Sequence, residues 1–129
     1  MQGKADDWKR ELLTHLKLIP DIKIAMNAAS NRELKSITIG DKKINQPKKW
    51  LVLYNSLIDY LCKLPTEYLA IFRLKIAGCS NVYISDNVAM STTSIHFTLA
   101  KIYTIALGLA CQLGLIELDL IDADLDYSD

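Results

Sequence analysis

Ser91, Thr92, Thr93, His96 and Phe97 form one short run of small hydroxyls, an imidazole and an aromatic ring. On one face of a helix, such side chains suit the edges of base pairs. A Thr hydroxyl hydrogen-bonds a base, its methyl meets a thymine methyl, and a Phe ring packs on that same methyl. None of them supplies the bidentate guanine contact that Arg makes. The positive charge that phosphate contacts need lies elsewhere in the chain. Lys42, Lys43, Lys48 and Lys49 share one stretch, Arg73 and Lys75 another, and Lys101 stands alone after them. The four lysines read either as a phosphate-contacting arm beside a DNA-recognition helix that carries the first run or as a solvated loop.

Other chemistries find less support. The cysteines, Cys62, Cys79 and Cys111, and the histidines, His15 and His96, show no CxxC or HxxxH spacing. An odd number of widely spaced thiols suits a reduced, cytosolic protein. Cys62 and Cys111 fall in apolar helical patterns and are expected in the core. His15 lies beside an apolar stripe and is expected at its rim. No carboxylate pair, phosphate loop or nucleophile triad is visible, so no enzyme, metal or cofactor is expected.

The element that must position the first run is a helix-turn-helix. With Asn81 as its first position, apolar residues fall at the fourth, eighth, tenth and fifteenth places: Ile84, Val88, Met90 and Ile95. Small residues, Ser85 and Ala89, fall at the fifth and ninth. The fifth place lies where two helices cross closely. The ninth sits in the sharp turn, where Gly accepts φ > 0 without strain, and here Ala takes it. Ser80 is the expected N-cap of the first helix, and Ser91 or Thr92 that of the second. In such motifs the second helix lies in the DNA major groove with its N-terminal residues on base edges.

Helical periodicity extends on both sides. Residues 6–18 place Trp8, Leu12, Leu13 and Leu16 on one stripe, with Asp6 or Asp7 as cap. Pro20 opens a short helix to about Ala29, carrying Ile22 and Met26. Residues 30–33 have the Ser-x-x-Glu spacing of a capping box. Residues 37–44 alternate around Gly40-Asp41, which predicts a small β-hairpin or an ordered loop. From Pro47 to about Lys63, a central helix repeats Trp50, Leu53, Tyr54, Leu57 and Leu61. Pro65 opens another, with Leu69, Phe72 and Ile76 as inner stripe and Gly78 as its stop.

Two further features bear on partners. The chain has 15 basic and 15 acidic residues, but six acids crowd residues 117–129 without a base. Without that segment the body carries fifteen basic against nine acidic residues. Leu118, Leu120, Ile121 and Leu125 alternate with those acids, a composition that suits a solubilising end or a strip lying on the basic body. In the long second helix, Leu99, Ile102, Ile105, Leu109 and Leu113 line one face, and Tyr103, Leu107, Ala110 and Cys111 another. Two apolar faces predict either cover by the N-terminal helices or a homodimer through residues 99–113. No run reaches the ~18 uncharged apolar residues of a membrane span. The start, MQGKADDWKRE, has no apolar signal core, so nothing suggests export.

A resemblance joins these pieces. The residues Leu64, Pro65, Tyr68, Phe72, Gly78, Ser80, Ile84, Ser85, Ser91, Thr92, Ser94 and Ile95 follow the pattern of sigma-factor region-4-type helix-turn-helix domains. There an "LP…Y…IF.L" helix precedes a "G.S…IS…..S..SI" pair. Among small proteins, residues 64–115 most resemble phage late-gene transcription regulators of the RinA and ArpU kind. The resemblance implies a phage or prophage protein that binds promoter DNA in the cytoplasm of a bacterial host. The expectation is therefore an all-α chain. Residues 1–46 hold N-terminal helices and a basic loop, 47–116 the helical core, and 117–129 the acidic tail. Its expected function is sequence-specific binding of double-stranded DNA. The alternative is a helix-turn-helix module that docks on RNA polymerase, a sigma factor or another host protein.

Overall fold

Trp50, Leu53, Leu57 and Leu61 recur at three- and four-residue steps, so a helix turns all four to one side, where they are buried. The computed structural model describes residues 4–28 and 35–115. Its elements run α1 (Lys4–Lys17), α2 (Ile19–Ala28), β1 (Ser36–Ile39), β2 (Lys42–Asn45), α3 (Pro47–Leu61), α4 (Thr66–Ile76), α5 (Asn81–Val88) and α6 (Thr92–Gln112). The fold is all-α with one short hairpin, as the periodicities imply. The Ser-x-x-Glu spacing at 30–33 and the acidic segment 117–129 lie outside the described residues.

The centre is α3, which packs on α1, α2, α4 and α6. Leu12, Leu16, Ile19 and Ile22 of the N-terminal pair join Leu53, Leu57, Ile84 and Ile102 in one buried cluster. Pro47 occupies the first helical position of α3, where its missing N–H costs nothing. The hairpin pairs Ile37 with Ile44 and Ile39 with Lys42 across Gly40-Asp41. Gly40 has φ 62°, a conformation that a two-residue hairpin demands of its first central residue. Ile44 closes the hairpin against the core at 0% exposure.

Three local expectations need correction. The first helix starts at Lys4, so Asp6 and Asp7 lie inside it rather than capping it. Ile71 and Phe72 are the buried centre of α4, while Leu69 and Ile76 are only half-buried. Cys62 is exposed, because it caps the end of α3 after the last buried turn. Cys111 is half-buried.

The last helix, α6, is long and apolar enough to cross a membrane by length and composition alone. Here it is a core helix. Leu99, Ile102, Ala106, Leu107 and Ala110 are buried, and α3, α4 and α5 pack along it. The cover on its two apolar faces thus comes largely from the central helices rather than from the N-terminal pair.

Candidate nucleic-acid interface

The helix-turn-helix is built from local hydrogen bonds that its sequence specifies. Ser80 caps α5 by accepting from the Tyr83 N–H at 3.2 Å. Ser91 caps α6 by accepting from the Ser94 N–H at 3.1 Å. The Ser85 hydroxyl donates to the Met90 carbonyl across the turn. Ile84 and Ile95 are both fully buried and clamp the two helices together.

The turn itself repeats a device used at two other helix ends. The Cys79 N–H donates to the Leu74 carbonyl at 3.1 Å, and the Leu115 N–H to the Ala110 carbonyl at 2.9 Å. Each closure wraps a residue of positive φ, Gly78 at 95° and Gly114 at 76°. Met90 N–H donates to the Ser85 carbonyl at 3.3 Å in the same way. Its wrapped residue is Ala89, with φ 55°. An L residue with a Cβ costs about 1–2 kcal/mol in that region, so the turn holds strain that the other two ends avoid.

This geometry exposes Ser91, Thr92, Thr93, His96 and Phe97 together at the start of α6. The His96 and Phe97 rings meet edge to face at 6.0 Å. Phe97 is 62% exposed, a large apolar surface for a side chain with no core role. It also forms one wall of a groove of about 770 Å³ with Tyr60, Leu64, Tyr68, Lys101 and Ile105. Tyr60 and Tyr68 stand on either side of the Leu64-Pro65 break between α3 and α4. Val82 and Tyr83 are exposed on α5 at 63% and 53%. Periodicity placed Tyr60, Leu64, Tyr68, Val82 and Tyr83 at no surface site. The available signal was two tyrosines flanking a helix break.

The seven expected phosphate contacts do not converge. Lys101 is exposed on the same face of α6 as Phe97. Lys75 donates to Asn81 Oδ1 at 3.0 Å, tying the end of α4 to the start of α5. Arg73, also in the last turn of α4, lines a different cleft with Lys17 and Lys23. Lys42 pairs with Glu11 Oε1 of α1 at 3.5 Å. Lys43, Lys48 and Lys49 are exposed. A Cβ built on Gly114 would lie 3.5 Å from Lys49 Nζ, which puts Lys49 at the far end of α6. That helix has 21 residues, so about 30 Å of axis separates its two ends. Lys49 therefore lies beside α6, but at the end away from Thr92 and Thr93.

His15 is buried rather than at a rim, with 5% exposure. It stacks on Trp50, the ring centroids 4.2 Å apart. Nδ1 donates to the Glu11 carbonyl at 2.8 Å, since a carbonyl can only accept. Burial lowers its pKa, against the Glu11 carbonyl bond and the Glu11 carboxylate, which raise it. Among the described residues no group of three His, Cys, Asp or Glu side chains is placed to hold a metal ion. Comparison with protein-family models, with curated proteins and with solved structures finds no match for this chain.

Proposed function

We propose that this chain is a sequence-specific double-stranded DNA-binding transcription regulator, working without a catalytic site in the cytoplasm of a bacterial host. The resemblance of residues 64–115 to phage late-gene regulators suggests a phage or prophage origin. One observation carries the reading. Two helices joined by a left-handed turn bury Ile84 and Ile95 and leave Thr92, Thr93, His96 and Phe97 outward at the start of the second helix. In groove readers of this type those positions face base edges. Of the seven cations expected to serve, Lys101 is the one on that same face.

The test is selection of bound duplexes from a randomised pool, followed by Thr93→Ala and His96→Ala. Each side chain is exposed, so both variants stay folded. Each loses about 1–3 kcal/mol on the selected site and relaxes preference at one position. Unchanged selectivity in both folded variants overturns the assignment.

The groove beside Phe97 favours a second reading. Exposed Phe97 and Tyr60 with Leu64, Tyr68 and Ile105 make an apolar surface at the place a recognition helix would enter DNA. Such a surface suits a protein partner, here RNA polymerase, a sigma factor or another host protein. In a homodimer through residues 99–113, the residues left to use are the half-buried Tyr103, Ile105, Leu109, Cys111 and Leu113, because Leu99, Ile102 and Leu107 are occupied within the chain.

A further inference from the structure

Away from the helix-turn-helix, the corner between α1 and α2 meets α3 and the end of α4 in a cleft of about 490 Å³. Leu16, Ile19, Tyr54 and Ile76 give it an apolar floor, and Lys17, Lys23 and Arg73 stand around it. The Lys23 ammonium lies 5.5 Å from the centre of the Tyr54 ring. Among the described residues no carboxylate pairs with any of the three cations. Helix ends do not neutralise them. The C-terminal ends of α1 and α4 each bring about half a negative charge, and the N-terminal end of α2 returns about half a positive one. With the Asp21 carboxylate in the first turn of α2 set against them, the cleft keeps about one and a half positive charges over its apolar floor.

We infer that this cleft is the docking site of the chain's own acidic segment, residues 117–129. The segment offers both things the cleft asks for. Its six acids carry no basic residue among them, and Leu118, Leu120, Ile121 and Leu125 alternate with them. A nucleic-acid backbone would meet the cations but has nothing for the apolar floor. The reach is ample. The described chain ends at Leu115, next to Gly114, which is beside Lys49 at the start of α3. Tyr54 is about 8 Å further along that helix, and thirteen residues span up to about 45 Å. Tethering holds the segment at millimolar effective concentration, so weak affinity suffices. The inference does not depend on DNA binding.

The test is amide NMR of the full chain without DNA. Neutralising the segment (Glu117→Gln with Asp119→Asn, Asp122→Asn, Asp124→Asn, Asp126→Asn and Asp129→Asn) shifts the Lys17, Lys23, Arg73 and Ala77 signals. It leaves those of Lys43 and Phe97 in place. Raising salt from about 0.1 M to about 1 M, which shortens the Debye length from about 10 Å to about 3 Å, moves the wild-type signals the same way. Lys23→Glu with Arg73→Glu, both exposed positions, releases the segment, and adding Asp122→Lys with Asp126→Lys restores it. Dilution changes nothing, because the contact is within one chain. Shifts that cluster on the hairpin or the Phe97 groove overturn the inference. So do shifts that fade on dilution, which would mean a second copy's segment, and so does an absence of shifts.

Discussion

The two ends of α6 carry different chemistry. Its start presents hydroxyls and rings, Thr92, Thr93, His96 and Phe97, with Lys101 as the nearby cation. Its far end lies beside Lys49, close to the start of α3 where Lys48 also stands. The end that the proposed function assigns to base reading is poor in charge, and the end rich in charge has no such side chains. Both ends engage one duplex only if the helix lies along it for about 30 Å, close to a helical turn of DNA. A protein that binds through the first end alone neutralises few phosphates, and its affinity falls gently with salt.

The largest effect expected on this comparison is structural. Ala89 and Gly114 close the two helices α5 and α6 with the same kind of backbone bond and the same sign of φ. Gly114→Ala brings Cβ strain to the charged end and costs about 1 kcal/mol. Ala89→Gly removes it from the reading end and gains about 0.5 kcal/mol, the relief being offset in part by the entropy of Gly. Denaturant midpoints of both variants measure this. Equal signs would mean that the two turns do not differ in strain.

Next comes the salt dependence of the proposed DNA binding. Lys101→Ala should lower the slope of log affinity against log salt by about one, while Lys48→Ala and Lys49→Ala leave it unchanged. A fourfold rise in salt then costs the Lys101 variant about fourfold less affinity than it costs wild type. If Lys49→Ala lowers the slope as much, both ends reach the duplex and the contrast between them disappears.

The smallest effect is a pH dependence confined to the lysine end. The buried His15 has a pKa below its ordinary value of 6.5. The unfolded chain therefore binds a proton that the folded chain refuses. Stability rises with pH in that window. It is fully present above about 6.5, falls as pH drops below it, and levels off beneath the lowered folded value. His15→Phe keeps a ring on Trp50 and removes this dependence. Denaturant midpoints that decline on acidification equally in wild type and variant would assign the slope to other groups.

Local physics made much of this chain legible. Ser80 and Ser91 cap because an N-cap acts within three residues. Gly78 stops α4 and Gly40 turns the hairpin because φ is a property of one residue. Ile84 and Ile95 are core because the motif places them there whatever surrounds it. The tertiary structure decided what lies at the margins of each stripe and at the ends of each axis. A period of 3.6 residues leaves positions such as His15, Leu69 and Ile71 near the boundary between covered and exposed. Which of them is covered depends on how a neighbouring helix crosses, and Trp50 covers His15. The separation of Lys49 from Thr93 depends on the direction and length of α6. The basic cleft depends on four helices that meet only in the folded chain. Residues 17, 23, 54 and 73 share no periodicity, because the contact that joins them is made by packing and not by neighbourhood along the backbone.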